Sequence, residues 1–153
     1  MNIKRIVSLA ATLSLVLSLS LGLSGCGDKA AQDDSQDNTD GSAKYVVGIC
    51  QLVQHDALDA ATQGFIDALN EALPGEVEFQ NKNASGDSAN CSTIVNSFVS
   101  DGVDLIMANA TGALTAAAAA TSDIPILGTS ITAYGVALDL DDFDGTVGGN
   151  ISG

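Results

Sequence analysis

Residues Tyr45–Leu73 read YVVGICQLVQHDALDAATQGFIDALNEAL, and the change of rhythm inside this stretch decides the fold. Tyr45 to Cys50 is a short apolar run in which Val46, Val47 and Ile49 are β-branched, the pattern of a strand covered on both faces. Gln51 to His55 turns polar. From Asp56 onward Leu58, Ala61, Phe65, Leu69 and Leu73 recur at three- or four-residue intervals, which places them on one face of a helix. Asp56 can cap that helix, and Asp59 stands three residues further on in a capping-box position. Strand, loop and helix make half of a βαβ unit. In open parallel sheets ligands sit at the carboxyl ends of the strands, so Gln51–Asp56 is expected to form one wall of a small-molecule cleft.

The same alternation continues downstream. Pro74-Gly75 ends the helix. Glu76–Gln80 alternates polar with apolar residues, as a half-covered edge strand does. Asn81–Asp87 is a loop of turn formers in which Ser85 or Asp87 can cap the next helix. Cys91, Ile94, Val95, Phe98 and Val99 mark the buried face of that helix, and Gly102 ends it at the left-handed position. Val103–Ala108 is a third strand. Asn109-Ala110 follow, then Thr111 as N-cap of an alanine-rich helix, Gly112–Ala120. Ile124–Leu127 is a fourth strand, with Pro125 at its beginning or at an unpaired position. Thr129–Thr132 is the next strand-end loop. This β-α-β-α-β-α-β order predicts an α/β fold, a doubly wound parallel sheet with right-handed crossovers. From Tyr134 the pattern changes: Asp139–Asp144 holds four aspartates, and Thr146–Gly153 is glycine-rich with no closing helix. The expectation is a first lobe, residues 45–153, that is incomplete at its C-terminus.

Upstream, Lys4 and Arg5 precede the apolar run Ile6–Leu21, the layout of a secretory signal over residues 1–25. Leu23-Ser24-Gly25-Cys26 resembles the lipobox of bacterial lipoproteins, in which the cysteine becomes the acylated N-terminus. Acyl chains contribute about 0.8 kcal/mol per buried CH₂, so several chains anchor stably where one is marginal. Residues 26–44 then form the lipidated Cys26 and an acidic linker too poor in apolar residues to order itself. The whole chain has a formal charge of −14, and once residues 1–25 are removed only Lys29, Lys44 and Lys82 face 19 acidic residues. Such a surface repels nucleic acid and anionic headgroups. The expected location is the extracytoplasmic face of the cell membrane, held by lipid.

Several chemistries lack their motifs. No GxGxxG, GxxxxGK[ST], HExxH, CxxC or GxSxG occurs in the chain. One histidine and three cysteines argue against a closed zinc site, and no metal or other cofactor is expected. Cys50 and Cys91 can pair outside the cytoplasm, and each also suits a small buried apolar position. Cys50 and His55 as a thiol–imidazole dyad is the weaker reading beside a buried cysteine and a loop histidine, so the chain is read as a non-enzyme.

Four polar loops remain, Gln51–Asp56, Asn83–Asp87, Asn109–Thr111 and Thr129–Thr132, all expected on one edge of a parallel sheet. The first three lead into helices, whose N-termini present unpaired N–H groups and partial positive charge. Candidate ligand-binding residues are Gln51, His55, Asp56, Asn83, Ser85, Asn109, Thr111, Thr129, Ser130 and Thr132, with Tyr134 as the nearest aromatic ring. Each can also serve only to cap a helix or close a turn.

ICQLVQHDALDAATQGFIDAL resembles the opening of the ABC-transporter substrate-binding lipoproteins of the tryptophan/tyrosine-binding type. The likeness continues through Asn83-Ala84-Ser85-Gly86-Asp87, Val103-Asp104-Leu105-Ile106, Asn109-Ala110-Thr111, Ile124-Pro125-Ile126 and Gly149-Asn150-Ile151-Ser152-Gly153. The resemblance implies a type I periplasmic-binding-protein lobe, one of two that close on a small solute, with an amino acid, and an aromatic one, as the candidate. It also implies a permease and an ATPase subunit as partners. One position departs: the family often has Thr-Asp after the fourth strand, where this chain has Thr132-Ala133. A surface lipoprotein that senses a ligand without a transporter is the alternative, and a secreted α/β enzyme a more distant one.

The anchor can be tested at once. Cys26→Ala is expected to release the protein into the medium, measured by fractionation; continued membrane association would refute lipid anchoring at Cys26.

Overall fold

The computed structural model describes residues 43–153; the expected signal peptide, Cys26 and residues 27–42 of the linker lie outside the described residues. The elements are β1 (Tyr45–Gln51), α1 (Asp56–Ala72), β2 (Val77–Asn83), α2 (Ser88–Asp101), β3 (Leu105–Asn109), α3 (Thr111–Ala120), β4 (Ile126–Thr129), α4 (Tyr134–Ala137) and β5 (Ile151–Ser152). All the strand pairs are parallel, in the order β2-β1-β3-β4-β5. This is the doubly wound arrangement expected from the sequence, and the chain reverses direction across the sheet between β1 and β3.

The pleat of β1 distributes its side chains to two cores. Val47 and Ile49 join Met107 of β3 under Phe65, Ile66 and Leu69 of α1. Cys50, with Ile106 and Ala108 of β3, points to the opposite face, against Cys91, Val95 and Phe98 of α2 and Ala113, Leu114 and Ala117 of α3. The run Val47–Gln51 is buried throughout, as a central strand covered on both faces must be. Alanines on α3 let that helix lie close to α2, and Ala113, Ala116 and Ala117 are buried.

Boundaries differ from the sequence expectation where hydrogen bonds override local pattern. β2 lies at the sheet edge as expected but runs on to Asn83, because it pairs with β1 along its full length. β3 starts at Leu105: the Val103 N–H instead donates to the Phe98 carbonyl at 3.2 Å and closes the end of α2. β4 starts at Ile126, since Pro125 has no N–H and the Ile124 N–H donates to Thr121 Oγ1 at 3.2 Å. Gly102 does end α2 in the left-handed conformation, φ 67°. The sequence pattern does not predict the short α4 and β5. Asn150 makes β5 possible: its carbonyl accepts from Ile126 N at 2.8 Å, and its Nδ2 donates to the carbonyls of Thr121 and Ile124. A glycine-rich segment with a period of neither 2 nor 3.6 is thus drawn into the sheet by backbone and carboxamide bonds.

Gly48 sets the distance between β1 and α2. A Cβ there would stand 2.6 Å from the Phe98 ring, well inside contact distance. Overpacking of this kind costs about 1–3 kcal/mol. Gly48→Ala is therefore expected to lower the thermal midpoint by several degrees; an unchanged midpoint would show that α2 can slide away at no cost.

Candidate functional site

Parallel pairing puts four of the sequence-selected residues at one level. Gln51 of β1 is the register partner of Asn83 in β2 and of Asn109 in β3, and Asn109 is the partner of Thr129 in β4. Residues at matched register positions project to the same face, so Asn83, Gln51, Asn109 and Thr129 form a polar row across the carboxyl end of the sheet, on the α1 side. The apolar interior ends at this row.

Two members of the row are buried and their hydrogen bonds run inward. Gln51 is 4% exposed and Asn109 0%. Thr62 of α1 donates its hydroxyl to Gln51 Oε1 at 2.7 Å and accepts from Asn109 Nδ2 at 2.9 Å. Asn109 Nδ2 also donates to the Leu58 carbonyl at 2.9 Å, and Gln51 Nε2 donates to Asp59 Oδ1 and to the Val53 carbonyl. Together these bonds pin the first turns of α1 onto the ends of β1 and β3. Asn109 Oδ1 is left buried with no hydrogen-bond partner. Such an atom costs roughly 1–3 kcal/mol and is rare in a folded interior. Thr62 and Asp59 were not among the sequence-selected site residues. The available signal was a hydroxyl at position 62, inside the apolar stripe between Leu58 and Phe65.

The other selected residues lie in the loops above the row. His55, not Asp56, is the N-cap of α1: its backbone is extended and its Nδ1 accepts from Ala57 N at 3.2 Å. Asp56 is already helical, in the first turn, where its charge favours the helix dipole. With Nδ1 accepting, a neutral His55 ring carries its proton on Nε2 as a donor. Asp87 caps α2 by accepting from Ala89 N at 2.7 Å, and Asn83 Oδ1 accepts from Ser85 N at 2.8 Å. Thr111 is not the cap of α3; that position falls to Ala110, which offers no side-chain bond. The Thr111 and Gly112 amides at the start of α3 are thereby presented at the edge without a capping oxygen, while the Ala113 N–H donates to the Ala110 carbonyl at 3.1 Å. Thr129 is half-buried, while Ser130 and Thr132 are exposed.

Backbone strain concentrates on the same edge. Ser85, Ala110 and Ser130, each just beyond β2, β3 or β4, have φ values of 56°, 85° and 58°. Ala110, with ψ 158°, occupies a region that glycine alone enters readily. Conformations like these cost about 1–3 kcal/mol each and persist where the surroundings over-determine them, which is commonest at functional sites.

Beside the row, between α1 and β2, an open polar cleft of about 350 Å³ is lined by Gln51, Gln54, Asp59, Gln63, Asn81 and Asn83 among others. Its walls are mostly carboxamides. Among the described residues no group of three His, Cys, Asp or Glu side chains could hold a metal ion. Cys50 and His55 form no dyad: the thiol points into the α2 core, where burial pushes its pKa up to about 12, and the imidazole is on the surface.

The family description "ABC transporter substrate binding protein" matches residues 46–153. The chain belongs to that family. A tyrosine-binding protein of Clostridioides difficile is 38% identical over 154 residues, which covers 92% of this chain and 43% of that relative. Among solved structures, the ligand-free, open form of a substrate binding protein with adhesive properties from Clostridium difficile is 36% identical, with a TM-score of 0.65 over 71% of this chain and 37% of that one. An ABC domain in complex with L-Trp from Streptococcus pneumoniae is 30% identical, with a TM-score of 0.65 over 72% of this chain and 38% of that one. The chain thus spans less than half the length of each. These likenesses confirm the expected type of lobe, and substrate-binding relatives point to a non-enzyme.

Thr62→Val keeps the shape of the side chain but leaves Gln51 Oε1 and Asn109 Nδ2 short of a partner. The expected loss is about 1–3 kcal/mol of stability, read by denaturant titration; a neutral result would show that the row does not hold α1.

Proposed function

We propose that residues 45–153 form one lobe of an extracytoplasmic, lipid-anchored substrate-binding protein that captures an aromatic amino acid and passes it to a membrane permease driven by an ATPase. The observation that carries this reading is the convergence of the strand-end loops and the N-termini of α1, α2 and α3 on one edge of the sheet. An amino acid brings a carboxylate, for which backbone amides at helix N-termini are the natural partners. The uncapped start of α3 suits that group best. The molecule's strongly negative charge makes these amides more important, since they supply positive potential where lysines are scarce.

In this proposal His55, Asp56, Asn83, Ser85, Thr111, Thr129, Ser130 and Thr132 meet the ligand from the rim. Gln51 and Asn109 act from behind, by holding α1 and the Val53–His55 turn in place. The tyrosine-binding relative and the L-Trp complex support an aromatic solute. A second lobe would close over it, and the ligand would favour the closed state by bonding to both halves.

Calorimetry with L-tyrosine and L-tryptophan tests this on two chains, the 153-residue chain and one carrying a second lobe. The expected result is little heat from the single lobe and saturable binding by the two-lobed protein, weakened about tenfold by His55→Ala, the equivalent of about 1.4 kcal/mol. Tight binding by one lobe alone would defeat the two-lobe mechanism, and binding by neither would defeat the aromatic assignment.

A further inference from the structure

Cys50 and Cys91 are both fully buried, and both belong to the core between the sheet and α2. Cys50 stands two residues after Gly48 on the face of β1 that meets α2. Cys91 stands two helical turns before Phe98 on the face of α2 that meets β1. Since the Phe98 ring lies against Gly48, the helix passes this strand at very short range. Phe98 meets Gly48 at this crossing, and Cys91 and Cys50 lie further along it within the same buried cluster. Each thiol perturbs the other, and burial, the larger cause, raises the pKa of both.

We propose that Cys50 and Cys91 close into a disulfide when this chain folds in an oxidising compartment, stapling the first turn of α2 to the end of β1. The Sγ–Sγ bond forms as both S–H bonds break. The two electrons and two protons pass to a small-molecule or protein disulfide, which leaves as two thiols. Thiolate attack is the chemical step, and in the folded core both thiols are protonated and closed to reagents. The link therefore forms during folding, or on transient opening, and once formed it is sheltered from reductant. It would fasten the Asn83–Asp87 loop, which leads directly into α2, to the strand that carries Gln51.

The test uses the full chain with Cys26→Ser, so that Cys50 and Cys91 alone remain, refolded in mixed oxidised and reduced glutathione. Alkylation in denaturant is expected to find no free thiol, and mass spectrometry a monomer lighter by two hydrogens. A loop of about 40 residues is closed by this link, and the oxidised form should melt about 10 °C above the same chain with its thiols reduced. Glutathione added to the already folded, reduced chain should react far more slowly. Cys91→Ala, which cannot close the link, should show no oxidant-dependent shift. Two alkylated thiols after oxidative refolding, intermolecular disulfides alone, or equal midpoints for the two forms would each overturn the proposal.

Discussion

One hydroxyl, that of Thr62, sits between two carboxamides and decides how the carboxyl end of this sheet is built. It donates to Gln51 and accepts from Asn109, which are neighbours across β1 and β3. A parallel sheet offers no hairpin to fix where its strand-end loops go; each loop is placed by the helix that follows it. Docking α1 by polar bonds rather than by apolar contact alone gives those bonds a direction, and direction fixes the register of the helix on the sheet. The turn that carries His55 is positioned as a consequence. A greasier interface would hold the helix as firmly but less specifically, because apolar contact is non-directional.

The chemistry of the edge follows from the charge of the whole molecule. A surface with so few cations cannot attract a carboxylate through lysine or arginine. Backbone amides at helix N-termini can do so without carrying a formal charge. The cost appears in the backbone, as the left-handed Ser85 and Ser130 and the outlying Ala110. Asn109 adds an unpaired buried oxygen at the point where the sheet reverses direction. Strain and an orphan acceptor would be removed by selection for stability alone; their clustering on one edge is physical evidence that the edge does something else.

The opposite side of β1 shows a different economy. Gly48 admits the Phe98 ring, and α2 and α3 pack against each other through small residues. The buried residues on that side are apolar, and the two thiols are the most reactive atoms among them. The two faces of a single strand thus separate the tasks: one is packed tightly for rigidity, the other grades from apolar core to polar row.

Much of this was legible in the residues themselves. Periods of 2 and 3.6, the Pro-Gly and Asp-Gly breaks and the polar strand ends determined the first three helices, the first four strands and the edge on which the loops gather. These signals are local, and chemistry between neighbours in the chain is enough to read them. The short β5 was invisible because its pairing depends on Asn150 reaching residues far away in the chain. The caps shifted by one residue, to His55, whose ring accepts from Ala57 N, and to Ala110, where backbone geometry alone sets the cap. Only the tertiary structure could reveal that Gln51 and Asn109 bond inward to Thr62, since their partners lie 11 and 47 residues away. Sequence determined which polar groups stand at the edge; the folded sheet decided which of them bond inward to the protein and which stay at the surface.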